Sequence, residues 1–212
     1  MPSPDRLVVV AGTGTEVGKT WWTCAVIGLL RTRGIAVAAR KPAQSFDPTE
    51  PVDARDATLL ADATGETAED VCRPSRSYPV AMAPPMAADA LGRERVRLAD
   101  LLRELTWPAG VEIGFVETAG GVRSPLAHDG DNLAFIDALA PTAVVLVADA
   151  GLGTINLVRL AAGVLAAHRV IVALNRFDPA NDLHVRNRAW LTDIEGLEIA
   201  VSVDDLAARW IA

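Results

Sequence analysis

The stretch LVVVAGTGTEVGKTWW at residues 7–22 constrains the fold of this chain more than any other part of its sequence. A run of apolar residues ends at a cluster of Gly and Thr, a Lys-Thr pair follows, and a second apolar segment then begins. This order is typical of a phosphate-binding loop between a buried strand and a helix, and the usual form of that loop is G-x-x-x-x-G-K-[ST]. Here the first glycine position of the usual form is Thr13, with Gly12 and Gly14 on either side of it. These residues alone leave two interpretations: a phosphate loop with different spacing, or a chance run of small residues.

Strand and helix patterns alternate along the chain. Apolar runs predict buried strands at residues 7–10, 113–117, 143–148 and 170–174, and a weaker fifth strand at 37–40. The runs are rich in Val and Ile and do not alternate with polar residues, which is typical of parallel strands covered on both faces. Helical patterns occur at residues 20–33, 53–64, 96–105, 133–139, 154–168, 183–193 and 204–211. We therefore predict an α/β fold with a doubly wound, mainly parallel sheet flanked by helices, in a single domain over residues 1–212, with 72–85 as a long proline-rich loop.

Composition and charge restrict the partners of this chain. The net charge of −7 and the pI near 5.0 argue against nucleic acid or an anionic membrane as the main partner. The first apolar run is too short for a signal peptide, and no uncharged apolar run reaches the length of about 18 residues that a membrane span needs. Cys24 and Cys72 have no metal-ligand spacing, so we interpret them as buried thiols in a reducing compartment. We expect a soluble, cytoplasmic protein.

Polar or Gly-rich segments follow the predicted strands, and ligands bind at the carboxyl ends of strands in such sheets. In the first segment, backbone N–H groups can converge on phosphate oxygens. Lys19 can add a cation at the terminal phosphates, and the Thr20 hydroxyl can bind Mg²⁺. The alternative is an ordinary glycine-rich turn with a surface lysine, and the position of G-K-T at a strand-to-helix junction disfavours it.

Two further segments carry residues suited to phosphoryl transfer. Lys41 follows the weakest strand, and beside a phosphate loop it is a candidate cation for a transferring phosphoryl group, with Ser45 close behind it. Glu117 ends a buried strand, where an acid that binds Mg²⁺ would lie, and Gly120 and Gly121 then allow close approach of the backbone. A surface lysine and a solvent-facing acid are the alternative interpretations.

The segment DAGLGTINL precedes another helix. Gly151 and Gly153 lead into a helix that starts near Thr154, so free N–H groups there could form a second anion site. A flexible turn with Thr154 as the N-cap is the alternative. The acids of the helix at 53–64 are expected on a solvated face, and Asp56 matters only if that helix points into the site.

Four motifs, taken in order, resemble the dethiobiotin synthetase family: GTGTEVGKT, KPAQS, ETAGG followed by SPL, and LGTIN. Members of that family carry segments close to GT-x-T-x-VGKT, KP-x-x-S, EGAGG and LG-x-x-NH. The resemblance covers residues 5–178 and implies a P-loop NTPase-like fold. It also answers the question of spacing, because the family's own loop has the same length as Gly12 to Gly18 here.

The resemblance implies an enzyme of biotin biosynthesis. Its substrates would be 7,8-diaminononanoate, CO₂ or bicarbonate, and ATP, and its cofactor would be Mg²⁺. One amine of the diamine forms a carbamate, whose oxygen attacks the γ-phosphate of ATP to give a carbamic–phosphoric anhydride. The second amine then closes the ureido ring, and phosphate and ADP are released.

The resemblance also implies a role for each residue that matches a motif. Mg²⁺ would be held by Thr20, Asp56 and Glu117, and the catalytic residues would be Lys19, Lys41 and Ser45. The nucleotide would be bound by Gly12, Thr13, Gly14, Thr15, Glu16, Val17, Gly18, Lys19, Thr20, Glu117, Gly120 and Asn175, the last where the family reads the adenine. The diamine would be bound by Ser45 and Gly121 and, through its carboxylate at a helix N-terminus, by Gly153, Thr154, Ile155 and Asn156. In the family that last site comes from the neighbouring subunit, which implies a homodimer with shared active sites.

The chain departs from the family pattern at three positions and at its C-terminus. Thr118 replaces a Gly, and we expect its side chain to narrow the space beside the metal. Leu157 replaces the usual His after Asn156, and Met86 stands where the family often has His. After Ile199 there is no Pro-containing loop of the kind that helps the family hold the base, so nucleotide preference and the identity of the diamine stay open.

Two other classes of protein share part of this pattern. A partition or division ATPase, which acts as a switch, carries a signature lysine four residues before the last Gly of its loop, and that position is Gly14 here. A ligase of the cobyric acid type carries a glutaminase domain with a nucleophilic Cys, and this chain is too short to hold one after Asn175. A related ATP-dependent ligase that acts on a different substrate remains an alternative.

Overall fold

A computed structural model describes residues 3–211 and places a six-stranded parallel sheet at the centre of the fold. The strands are, in chain order, β1 (Arg6–Gly12), β2 (Val37–Arg40), β3 (Gln44–Ser45), β4 (Ser77–Tyr78), β5 (Ile113–Glu117), β6 (Pro125–Ala127), β7 (Gly130–Asp131), β8 (Ala143–Asp149), β9 (Val170–Asn175) and β10 (Glu198–Ala200). The large sheet has the order β10-β9-β8-β1-β5-β2, while β3 pairs with β4 and β6 pairs with β7.

Helices cover both faces of this sheet. They are α1 (Lys19–Thr32), α2 (Asp56–Thr64), α3 (Ala68–Val71), α4 (Pro84–Ala90), α5 (Leu98–Glu104), α6 (Asn132–Leu139), α7 (Thr154–Val164), α8 (Asp182–Ala189) and α9 (Val203–Ile211). Apolar side chains of α1, α2 and α9 pack on one face, and those of α4, α5, α6 and α7 pack on the other. The predicted α/β class and the doubly wound parallel sheet are confirmed.

The central strand β1 shows why these segments form strands. Val9 pairs in parallel register with Val116 of β5 and Val144 of β8, and all three side chains are buried. Alternate residues of β1 point to opposite faces, so Val8 joins one hydrophobic cluster and Val9 the other. Such a strand needs apolar residues at every position, which explains the non-alternating runs.

The element boundaries differ from the sequence prediction in several places. The strand β10 was not predicted, and the proline-rich segment contains β4 and the start of α4. The helix predicted at 154–168 ends at Val164, and the one predicted at 183–193 splits into α8 and a π-helical turn at Trp190–Ile194. The helix predicted from Asp53 begins with a 3₁₀ turn at Val52–Ala54, and α2 starts only at Asp56.

Parallel pairing brings the carboxyl ends of the sheet strands to one edge. The loops after β1, β2 and β5 therefore meet above the centre of the sheet, and α2 starts beside them. Over residues 3–211, none of the helices has the length and apolar character needed to cross a membrane.

Candidate active site

The loop between β1 and α1 has the backbone form of an anion cradle. Gly18 caps α1 in a left-handed conformation with φ of 97°, and no side chain accepts the N–H groups of the first helical turn. Those N–H groups are free to bind an anion. The Lys19 ammonium reaches back over the loop and donates to the Gly14 carbonyl at 2.9 Å. A Cβ at Gly12 would lie 2.9 Å from Val17 Cγ2, so the loop closes tightly on that glycine.

The three residues predicted to bind a metal lie together beside this loop. The Thr20 hydroxyl is 2.7 Å from Asp56 Oδ1 and 2.9 Å from Glu117 Oε1. Thr20 comes from α1, Asp56 from the start of α2, and Glu117 from the end of β5, so three separate elements converge on one point. The helix α2 does point Asp56 into the site.

Thr23 is a fourth member of this cluster that sequence reasoning missed. Its hydroxyl donates to Glu117 Oε2 at 3.0 Å. Thr20 donates to the other carboxylate oxygen, Oε1, so both oxygens of Glu117 accept a hydrogen bond. Thr23 follows Thr20 by three residues on α1, so helical spacing was a signal that could have found it.

Lys41 is buried against the same two carboxylates. Its ammonium lies 2.7 Å from Glu117 Oε1 and contacts Asp56 Oδ2, and its side chain is 3% exposed. Burial alone would lower the pKa of Lys41, but the charges of Glu117 and Asp56 outweigh burial and raise it above its usual value. Burial likewise acts to raise the pKa of Asp56, and Lys41 and Thr20 outweigh it and hold that pKa below its usual value. Lys41 is therefore a permanent cation in this site.

The pKa of Lys19 is shifted in the opposite direction from that of Lys41. Burial lowers the pKa of Lys19 to about 8, repulsion from Lys41 acts in the same direction, and Glu117 and Asp56 act against it. A phosphate group in the loop would supply the negative charge that this ammonium lacks. The two lysines thus differ in their anionic partners: Lys41 forms ion pairs with two carboxylates of the protein, and Lys19 forms none in the described part of the chain.

The donor set of this cluster suits a magnesium ion. Mg²⁺ prefers oxygen ligands, and it usually keeps several waters and binds through one or two carboxylates plus substrate phosphates. Two carboxylates and the Thr20 hydroxyl converge beside the phosphate loop, which fits that requirement. Among residues 3–211 there is no cluster of three or more His, Cys, Asp or Glu side chains that would suit a more fully protein-coordinated metal.

A cleft of about 920 Å³ opens beside this cluster. Residues of the phosphate loop and of the start of α1 line one part of it, together with Ala119, Gly120 and Ser124. We call residues 44–47, 49–51, 55–56 and 81–84, which line much of the rest, the second wall. Ser45 belongs to the second wall, and its hydroxyl is buried without a hydrogen-bond partner.

The glycine pair after β5 lies against the phosphate loop. Gly120 has φ of 70° and lines the cleft. A Cβ at Gly121 would lie 3.4 Å from Thr13 O, and the Gly121 N–H donates to the Ser124 hydroxyl. The buried Asn132 holds this turn by donating to Ala119 O at 2.6 Å and Gly121 O at 2.8 Å. Asn132 was missed by sequence reasoning, because nothing local marks a residue fixed by a distant loop.

Asn175 supports the phosphate loop from the end of β9. Its amide donates to the Val17 carbonyl at 2.9 Å, and a Cβ at Gly18 would overlap that amide. The predicted recognition of adenine by Asn175 stays a prediction, but its contact with the loop is a separate role that the sequence did not suggest.

The turn at Gly153–Asn156 lies outside the cleft in the single chain. None of its four residues lines the cleft, and Gly153 caps α7 with φ of 91° and no side-chain cap. The Thr154 hydroxyl is buried and finds no partner in the described part of the chain, so Thr154 is not a side-chain N-cap. The neighbouring Leu152 is 91% exposed.

Comparison with known proteins shows the family of this chain. A protein-family model described as an AAA domain matches residues 6–207. The ATP-dependent dethiobiotin synthetase BioD of Caulobacter vibrioides (strain NA1000 / CB15N) is 38% identical over 172 residues, which are 79% of this chain and 77% of that protein. The ATP-dependent dethiobiotin synthetase BioD of Anaeromyxobacter sp. (strain Fw109-5) is 34% identical over 96% of this chain and 93% of its own length. This chain belongs to the dethiobiotin synthetase family.

This dethiobiotin synthetase family member has a fold similar to that of other proteins whose structures have been solved. The signal recognition particle receptor FtsY of Elizabethkingia anophelis matches 97% of the chain with a TM-score of 0.53 and 16% identity. Chloroplast FtsY of Physcomitrella patens matches with a TM-score of 0.55 and 15% identity. This chain spans 62% of each of those two proteins, and at such identity the likeness concerns the fold alone.

Thr118 does not have the effect that was expected from its departure from the dethiobiotin synthetase pattern. Thr118 was expected to narrow the space beside the metal, but its side chain is fully buried and does not line the cleft. Both its N–H and its hydroxyl donate to the Val10 carbonyl, at 3.0 and 3.3 Å, so the side chain turns toward β1. The replacement of Gly at this position therefore leaves the cleft open.

Proposed function

We propose that this protein is an ATP-dependent dethiobiotin synthetase that carboxylates 7,8-diaminononanoate and closes its ureido ring. The observation that carries the proposal is the convergence of Thr20, Lys41, Asp56 and Glu117 beside a phosphate loop, at the edge of a cleft with room for a second substrate. Membership of a family whose relatives are named for this activity supports it.

The reaction balances in three steps. An amine nitrogen of the diamine forms a bond to the carbon of CO₂ and loses a proton, which gives a carbamate. A carbamate oxygen then bonds to the γ-phosphorus while the bond between that phosphorus and ADP breaks. The second amine attacks the carbamoyl carbon, loses a proton and expels phosphate, which closes the ring.

The phosphate loop and two lysines would stabilise the transferring group. Backbone N–H groups from Gly12 to Gly18 would bind the phosphates, and the charges of Lys19 and Lys41 would offset the negative charge that develops on the γ-phosphoryl group. Because Lys41 stays protonated, it acts as a fixed charge and not as a base. Thr20, Asp56 and Glu117 would hold a Mg²⁺ ion, which would supply positive charge against the phosphates of ATP.

The diamine would lie along the second wall of the cleft. The unpartnered Ser45 hydroxyl is available to a carbamate or phosphate oxygen. Because the N–H of Gly121 is already taken by Ser124, Gly121 would shape the site through its lack of a side chain and not through a hydrogen bond.

A homodimer would complete the substrate site. We propose that Gly153, Thr154, Ile155 and Asn156 bind the substrate carboxylate across a subunit interface, since they lie outside the cleft of their own chain. The exposed apolar residues beside them support an interface there: Leu152, Leu157 and Leu160 are 91%, 48% and 65% exposed. We also propose that the protein is cytoplasmic and that it consists of a single domain.

Phosphate release tests the enzymatic assignment. With MgATP, bicarbonate and 7,8-diaminononanoate, we expect phosphate release that stops when the diamine is omitted. Release that is independent of the diamine would leave a nucleotide-binding fold but refute the activity. A related ligase with another substrate would bind MgATP equally and give no diamine-dependent release.

The variant Lys41→Ala tests how the site works. Because Lys41 would act mainly on the transferring group, we expect turnover to fall by at least about 100-fold while the Kd for MgATP changes by less than about threefold. An equal loss of turnover and affinity would contradict the role given to Lys41.

A further inference from the structure

The peptide unit that joins Ala119 to Gly120 lies at the cleft, and a buried side chain holds one side of it. Both residues line the cleft. The carbonyl oxygen of this peptide, Ala119 O, accepts a hydrogen bond of 2.6 Å from the side-chain amide of Asn132, which is 0% exposed. The same amide donates to Gly121 O at 2.8 Å. Asn132 therefore fixes two carbonyl groups of the turn at once.

The direction of the Gly120 N–H follows from that hydrogen bond. The described residues contain no cis peptide bond, and in a trans peptide unit the C=O and the N–H point in opposite directions. Because Ala119 O points to the buried Asn132, the Gly120 N–H of the same unit points away from it, on the side where Gly120 borders the cleft. Within residues 3–211 this N–H donates no hydrogen bond.

The turn lies beside the two parts of the site that would hold the terminal phosphate of ATP. Glu117, one of the proposed Mg²⁺ ligands, precedes Gly120 by three residues. On the other side, a Cβ at Gly121 would lie 3.4 Å from Thr13 O, so the turn contacts the phosphate loop. The free N–H is thus flanked by the phosphate loop and the carboxylate cluster.

A backbone N–H with a fixed direction can stabilise the negative charge that develops on a transferring group, because it needs no reorganisation during the reaction. Gly120 has no side chain that could anchor it, and glycine backbone is intrinsically mobile. Asn132 supplies the missing restraint from the interior, since it does not itself line the cleft. The two carbonyl oxygens that it holds require a donor, and only the NH₂ group of the amide can serve both.

We propose that Asn132 is a positioning residue, which holds the peptide between Ala119 and Gly120 so that the Gly120 N–H donates to an oxygen of the γ-phosphoryl group. The inference rests on the proposed function, in which ATP transfers that group. The carboxylate of the diamine substrate offers the same kind of acceptor, so the test must separate the nucleotide from the diamine.

The full-length Asn132→Leu variant tests this, because leucine has a similar volume and no donor. The matched control is Asn187→Leu. Asn187 is 6% exposed and donates to Ala150 O at 2.9 Å and Gly151 O at 3.0 Å, in a turn that does not line the cleft. The two variants thus remove the same pair of hydrogen bonds from two different turns. Calorimetry gives the Kd of each protein for MgATP, MgADP and 7,8-diaminononanoate, and thermal unfolding gives its stability.

For Asn132→Leu we expect the Kd for MgATP to rise about 5- to 30-fold, the effect of weakening one hydrogen bond to a charged group. Its Kd for MgADP, which lacks the γ-phosphate, and for the diamine should stay within about twofold of wild type. Asn187→Leu should lose a similar amount of thermal stability and keep the Kd for both nucleotides within about twofold.

Three results would overturn the proposal. Equal weakening of MgATP and MgADP, or the same loss of MgATP affinity in both variants, would show that Asn132 only stabilises the fold. A loss confined to the diamine would assign the N–H to that substrate. Unchanged affinities would show that the direction of the peptide does not matter for binding.

A measurement on the wild type keeps the proposal testable if Asn132→Leu does not fold. In ¹⁵N-labelled protein, the amide proton resonance of Gly120 should move downfield with MgATP and not with MgADP, because only MgATP provides the acceptor. The same response to both nucleotides would overturn the proposal. These measurements need no turnover, so they report on Asn132 even if the wild type shows no diamine-dependent phosphate release, which would instead refute the proposed function.

Discussion

The Lys41 ammonium lies 2.7 Å from Glu117 Oε1, and the two side chains are 3% and 1% exposed. Glu117→Gln removes the buried counter-ion and leaves only the more exposed Asp56. We expect it to lower the free energy of unfolding by up to about 3 kcal/mol, since the buried ammonium then keeps one counter-ion instead of two. Chemical denaturation measures this, with Glu94→Gln as a control that should change stability by less than about 0.5 kcal/mol, because Glu94 is exposed and its side chain makes no hydrogen bond or ion pair within residues 3–210.

The double variant with Lys41→Met tests the cause of that loss. If the ammonium that has lost its buried counter-ion is responsible, the double variant should be more stable than Glu117→Gln alone. A double variant less stable than Glu117→Gln would show that the ion pair is not the source of the effect.

Gly18 is expected to tolerate no side chain. Its φ of 97° disfavours any L-residue, and a Cβ would overlap the amide of Asn175. Gly34 has φ of 79° but open space around it, so Gly34→Ala carries backbone strain alone, about 1 kcal/mol. We expect Gly18→Ala to abolish measurable MgATP binding and Gly34→Ala to leave it intact. Equal affinity of the two variants for MgATP would refute the steric role of Gly18.

Asn175→Ala separates support of the loop from recognition of the base. The variant removes the hydrogen bond from Asn175 to the Val17 carbonyl. If support of the loop is its main role, the Kd for ATP, GTP and CTP should each rise about five- to tenfold, as expected for one lost hydrogen bond. A loss confined to ATP would point instead to the predicted contact with adenine. Equilibrium binding of the three nucleotides decides between them.

Glu198 is expected to make stability depend on acid pH. Hydrogen bonds from Arg169, at 3.0 Å each, outweigh burial and hold the pKa of Glu198 below its ordinary value of 4.5. Its contribution is therefore present above pH 4.5 and is lost as the pH falls through the lower, folded-state pKa. The carboxylate is partly exposed, so the contribution should not exceed about 1 kcal/mol.

Thermal unfolding of wild type and Glu198→Gln between pH 7 and pH 3 measures this effect. We expect the gap in Tm to be largest near neutral pH and to close below pH 4.5. A gap that does not change with pH would show that the carboxylate charge is not involved.

The parts of the fold that follow from local pattern were predictable. A run such as that of β8 is apolar at successive positions because both faces of the sheet are covered, and this can be read from adjacent residues. The strand β10 has three residues, one of them Glu198, and its pairing with β9 depends on a distant partner. Too few residues carry its pattern for it to be recognised.

The site residues also fall into those that could be predicted from the sequence and those that could not. Lys19 and Lys41 follow strands and Glu117 ends one, so topology alone predicts their meeting at one edge of the sheet. Thr118 also follows a strand, but its direction depends on the register of β5 against β1, which no local pattern contains.

The route of the carbamate oxygen tests the central claim most directly. Bicarbonate labelled with ¹⁸O is supplied in unlabelled water with MgATP and 7,8-diaminononanoate, and the phosphate from a brief reaction is analysed by mass spectrometry. The account predicts ¹⁸O in the released phosphate, because the carbamate oxygen attacks the γ-phosphorus and leaves with it when the ring closes. Diamine-dependent release of phosphate that carries no ¹⁸O would contradict it.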